Sequence, residues 1–81
     1  MLVTLRLFAR LREITGTSEQ QRVLPDGCDA RALWDDLARE YPALAPYGSS
    51  VSCAVNHEYA RFTTLLKEGD EVAFLPPVSG G

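Results

Sequence analysis

The sequence predicts an α+β fold in which a small mixed sheet carries one main amphipathic helix on one face. Three observations predict it. Apolar and polar residues alternate near both ends of the chain, at residues 2–9 and 71–75, which is strand periodicity. A single long stripe of helical period begins at Ala30. Turn signals at residues 25–27, 56–58 and 67–70 divide the rest into short segments. The order is two strands, the helix, then further strands. With 81 residues the chain suits one small domain, expected over residues 1–75, with a flexible tail at 76–81.

In residues 2–9, Val3, Leu5, Leu7 and Ala9 share the face expected to meet the core. Thr4, Arg6 and Phe8 share the other face, so Phe8 is expected to stand outside as an exposed aromatic. Residues 10–15 predict one or two helical turns, with Leu11 and Ile14 on one side and Gly16 as the stop. Residues 20–24 are polar enough for an edge strand returning from the first. Asp29 is the predicted N-cap of the main helix. Ala30, Leu33, Trp34, Leu37, Ala38 and Tyr41 form its apolar stripe, and Pro42 ends it. Residues 43–50 predict a loop. Residues 51–55 predict a strand with Val51, Cys53 and Val55 inward, and Tyr59 opens a short return strand. His57, the one histidine, sits in the turn between them. It has no Cys or Ser at catalytic spacing and reads as a solvated residue. In residues 71–75, Val72 and Phe74 face inward while Glu71, Ala73 and Leu75 face out.

The first and last strands are the most apolar, which predicts that they pair at the centre of the sheet, in parallel. Phe8 and Leu75 then emerge on the same outer face, and Tyr59 is placed to join them as an apolar docking surface.

Composition narrows the function. A formal charge of −3, with the arginines scattered along the chain, argues against a nucleic-acid surface. No apolar run is long enough to span a membrane, and the start lacks a signal-peptide pattern, so a cytoplasmic location is expected. Cys28 and Cys53 have no metal-binding spacing and are expected to be reduced, with Cys53 in the core. No metal site, acid–base pair or phosphate loop is apparent.

The tail carries the remaining signal. Pro76 and Pro77 favour extended polyproline geometry, giving residues 76–81 a reach of roughly 15–20 Å. Val78 and Ser79 follow, and then Gly80 and Gly81, which pack nothing and fit a narrow passage. The Gly81 carboxylate is therefore expected to be the working group, against the plain alternative of a frayed terminus.

The order of elements resembles the β-grasp, ubiquitin-like fold. The run from Leu7 to Glu13 (LFARLRE), then Ala54-Val55-Asn56, then Leu66 to Gly81 (LKEGDEVAFLPPVSGG) resembles the MoaD family, the small subunits of molybdopterin synthase, over the whole chain. The resemblance implies sulfur transfer. An E1-like adenylyltransferase activates the terminal carboxylate, a sulfur donor protein displaces AMP, and a thiocarboxylate remains on Gly81. The large subunit of molybdopterin synthase, in a heterotetramer, then receives the tail and supplies the catalytic residues for sulfur transfer to a pterin precursor. AMP and sulfur are thus transient on Gly81, with no cofactor bound permanently, and neither nucleic acid nor membrane is a partner. By the resemblance, Phe8, Tyr59 and Leu75 fall at the positions of the apolar partner contact. A sulfur carrier for the thiamine thiazole, a ubiquitin-like protein modifier and a domain with an inert tail remain the alternatives.

Overall fold

Alternation in the first strand places its odd residues in the core, and the rest of the sheet is assembled around it. The computed structural model describes residues 1–77. β1 (Leu2–Leu7) is followed by a short helix α1 (Ala9–Thr15), β2 (Glu19–Val23) and the main helix α2 (Ala30–Glu40). A 3-10 segment (Pro42–Tyr47) leads to β3 (Ser52–Val55), β4 (Glu58–Ala60) and β5 (Glu71–Leu75). The strand order is β2-β1-β5-β3-β4. β1 and β5 run parallel at the centre, and every other neighbouring pair is antiparallel.

The parallel pair is in the register Leu5↔Val72 and Leu7↔Phe74. Val3, Leu5, Leu7, Val72 and Phe74 are all buried on the face that α2 covers. The α2 stripe supplies Ala30, Leu33, Trp34 and Leu37 to the same core. The Trp34 ring meets Phe74 edge to face, with centroids 5.1 Å apart. Cys53 is buried in this layer, which pushes its thiol pKa up, and both cysteines are free.

The predicted cap is present, with the Ala32 N–H donating to Asp29 Oδ1 at 2.8 Å. The two preceding N–H groups of that helix end are met from an unpredicted direction. Residues 61–66, which have no periodic pattern, lie across the start of α2. There the Ala30 and Arg31 N–H groups donate to the carbonyls of Thr64 and Phe62. Leu66, the last residue of this segment, is buried.

Two expectations are corrected. Ala9 is not an inward-facing strand residue. It is exposed, begins α1 and has a φ of 52°, because the chain must swing out of β1 there to send Leu11 into the core. Residues 43–50 are not simply a loop, since Pro42–Tyr47 winds into a 3-10 helix that buries Leu44 completely. Pro42 removes a donor that an α-helix would need, and the tighter winding turns Leu44 under the end of α2.

On the helix side, Arg22 of β2 bridges to Asp36 of α2 at 2.7 Å and also pairs with Glu40. The hydrogen bond from Arg22 holds the Asp36 carboxyl below its ordinary range.

Two predictions follow from this packing. Leu44→Ala is expected to destabilise the protein by about 2–5 kcal/mol in urea unfolding. A loss below about 1 kcal/mol would show that the 3-10 segment is not part of the core. A depressed Asp36 pKa contributes stability above the ordinary carboxylate range, and that contribution is lost as pH falls through the folded value. Arg22→Ala should therefore move the Asp36 titration upward, read by side-chain carboxyl NMR; an unmoved titration would mean that the bridge does not persist in solution.

Candidate functional site

The outer face of the sheet, opposite α2, follows from strand register. Arg6 pairs with Ala73, Ala73 with Ala54, and Ala54 with Tyr59. One row thus crosses four strands, with two alanines at its middle. Because alanine stops at Cβ, the sheet is left uncovered there. Larger side chains stand around this floor and enclose a shallow groove of about 250 Å³. Phe8 and Leu75 bound one end of it, His57 and Glu71 bound the other, and Arg6 and Tyr59 stand at the two sides.

Each wall has a structural cause. Phe8 is the first residue after β1 and the N-cap of α1, so it leaves the sheet on the side opposite Leu7. Phe8 is 38% exposed, high for a phenylalanine. Leu75 ends β5, one step beyond the Leu7↔Phe74 pair, and so lies beside Phe8. Tyr59 is on the edge strand β4 and is 81% exposed. The structure therefore brings Phe8, Tyr59 and Leu75 to one groove. The chain leaves β5 directly through Pro76, half-buried, and Pro77, exposed. Val78, Ser79, Gly80 and Gly81 lie outside the described residues.

The groove also has a charged lining, of which only the outward direction of Arg6 and Glu71 is readable from alternation. The Arg6 guanidinium lies over the Phe8 ring at 5.6 Å from its centroid. Glu71 is shared, with one oxygen 3.7 Å from Arg6 Nη1 and the other 3.1 Å from His57 Nε2. Glu19 of β2 lies 3.8 Å from Arg6 Nε. His57 is solvated, as expected, yet it stands on the groove's rim. Asn56 and His57 both have positive φ, the conformation of a tight two-residue hairpin turn. The Asn56 side chain fixes that turn to β5 by accepting from the Glu71 N–H at 3.0 Å and donating to Asp70 at 2.9 Å.

Sequence reasoning did not identify Ala54 and Ala73 as a floor. The signal exists only once the register is known, since neither alanine is unusual in its own strand. Among the described residues no group of three or more His, Cys, Asp or Glu could hold a metal ion. No helix among them is long and apolar enough to cross a membrane. The groove offers apolar contact, a guanidinium and a carboxylate–imidazole pair, which suits binding a surface; it has no pair of groups poised over a reacting atom.

Residues 5–81 match the model described as the ThiS family. The chain is 39% identical over 83 residues to the molybdopterin synthase sulfur carrier subunit of Chlamydomonas reinhardtii, and the match covers all of both chains. Its fold is similar to the solution structure of small archaeal modifier protein 1 from Methanosarcina acetivorans, with a TM-score of 0.81 and 33% identity over 99% of this chain and 96% of that one. It is also similar to a chain in the protein–protein complex of subunits 1 and 2 of molybdopterin-converting factor from Helicobacter pylori. There the TM-score is 0.70 and the identity 26%, with both chains fully covered. These neighbours share the β-grasp, ubiquitin-like arrangement of a mixed five-stranded sheet with a helix packed on it.

Proposed function

The chain belongs to the ThiS family, and from that premise we propose that it is the sulfur carrier subunit of a molybdopterin synthase, with its cargo on the Gly81 acyl carbon. The observation that carries this reading is the full-length match to a named sulfur carrier subunit. It is supported by the groove that lies where β5 gives way to Pro76.

The proposed chemistry begins with the Gly81 carboxylate attacking the α-phosphorus of ATP on an E1-like enzyme, forming an acyl-adenylate and releasing pyrophosphate. A carboxylate is a poor electrophile, and this step gives its carbonyl carbon a good leaving group. Sulfide released by a donor protein then adds to that carbon as HS−, AMP leaves with the electron pair of the C–O bond, and a thiocarboxylate remains. Sulfur held on a tether reaches the large subunit's active site at high effective concentration. Gly80 keeps the tail narrow where it must pass between partner walls. Among the described residues no cluster could hold a metal ion, and the acid–base groups for these steps are assigned to the partners.

The docking face in this reading is the groove of Phe8, Tyr59 and Leu75. The likeness to one chain of the Helicobacter pylori complex supports a large-subunit partner. One second reading has an observation in its favour. The likeness to a small archaeal modifier protein fits attachment of Gly81 to lysines of other proteins. Self-linked chains would have only Lys67 available.

Incubation with the cognate activating enzyme, ATP and sulfide should raise the intact mass by the difference between sulfur and oxygen. An unchanged mass would sink the sulfur-carrier reading, and ladders of larger conjugates in lysate would favour the modifier. Deleting Gly81 is expected to abolish loading while thermal unfolding moves by no more than about 1–2 °C. A larger fall in stability would show that the tail is structural. Phe8→Asp should weaken large-subunit binding roughly thirtyfold or more, with much less effect on folding. Equal losses of binding and stability would place Phe8 in the core.

A further inference from the structure

Arg6 is the one residue of the groove that its own chain leaves unsettled. Its Nε is buried and has no hydrogen-bond partner among the described residues. The carboxylates of Glu19 and Glu71 approach the guanidinium only to 3.8 and 3.7 Å, beyond hydrogen-bonding reach. More than a third of the side chain still faces solvent. The guanidinium is held over Phe8, in the side wall of a floor made of alanines. A partner that covers Phe8 must therefore also cover Arg6 and remove its water.

We infer that Arg6 is a specificity-determining contact of the docking face. The groove takes a polypeptide segment that sets a neutral acceptor, a main-chain carbonyl or side-chain amide oxygen, opposite the guanidinium. Apolar side chains of that segment pack on Phe8, Leu75 and Tyr59. The inference rests on the proposal that this groove receives the large subunit.

The acceptor is required because stripping water from an arginine without replacing its hydrogen bonds opposes binding. It is neutral because two carboxylates already flank the one guanidinium. A third would enter a locally negative site on a chain whose formal charge is −3. The planar fork of N–H groups matters as well as the charge, so lysine is a poor substitute.

The test measures the dissociation constant of the full chain with its cognate molybdopterin synthase large subunit. Arg6→Leu, which keeps the groove filled but leaves the partner's acceptor unpaired, should weaken binding roughly tenfold or more. Arg6→Lys should also weaken it and guards against a folding defect in the leucine variant, with thermal unfolding measured for both. Glu19→Gln, which does not line the groove, should leave binding within about threefold, since a neutral acceptor feels little of its charge. Unchanged or tighter binding by both Arg6 variants would overturn the inference. Tightening of about tenfold by Glu19→Gln would also overturn it, because the partner's group would then be a carboxylate. Phe8→Asp separates the levels of failure. If it binds like the parent chain, the docking face itself is misplaced; if it loses binding while both Arg6 variants keep it, only the role of Arg6 falls.

Discussion

The parallel pairing of β1 with β5 is the constraint on which the rest depends. Parallel strands cannot be joined by a hairpin, so the chain between them must cross back to the starting end of the sheet. That intervening chain supplies α2, which covers one face, and β2, β3 and β4, which flank the pair. Parallel direction also means that both strands finish at the same end of the sheet. Phe8 and Leu75 are neighbours for that reason, and the segment that carries the terminal glycines starts beside an exposed aromatic. A slip of one residue in this pair would turn Phe74 outward and Leu75 inward, removing the groove's end wall and opening the core together. Stability and docking are thus bound to the same register.

Much of this was legible in the sequence because it is written in side-chain periodicity. Alternation in β1 and β5 identifies Val72 and Phe74 as core and leaves Phe8 and Leu75 outside. The α2 stripe identifies Leu33, Trp34 and Leu37 in the same way. What escaped is held by other means. Leu44 lies between prolines, without a period, and only the 3-10 winding reveals where it points. Residues 61–66 act through main-chain carbonyls that meet the start of α2, and carbonyls leave no compositional trace. The alanine floor needs register across four strands, which no single strand contains. His57 shows the limit from the other side. Its solvation was readable, but its pairing with Glu71 depends on how Asn56 fastens the turn to β5.

The two faces of the sheet divide the work sharply. Toward α2, no buried residue among those described is polar or charged, and the partly exposed Arg22 bridge to Asp36 and Glu40 adds to that packing. Toward the groove, the central row alternates a guanidinium, two methyl groups and a phenol, and glutamates stand at its margins. A wholly apolar patch at this size would favour indiscriminate association. Setting Arg6 against Phe8 keeps the aromatic surface available while making its burial conditional on the chemistry that covers it.

In the proposed function a carrier of this kind must visit an activating enzyme, a sulfur donor and a synthase in turn, presenting one tail to each. A deep, rigid pocket would bind one of them too well to release it. A shallow groove with a flat alanine floor instead offers a few anchors and little enclosure, and affinity is then set by how each partner meets the anchors. Its margins make the same case. The Glu71 carboxylate is shared between Arg6 and His57 at 3.7 and 3.1 Å, so a partner that displaces one of these contacts leaves the other in place. The polar lining can therefore rearrange at small cost while Phe8 and Leu75 stay fixed by β1 and β5. That combination of a fixed apolar end and an adjustable polar end suits a surface that must be shared among partners and held by none.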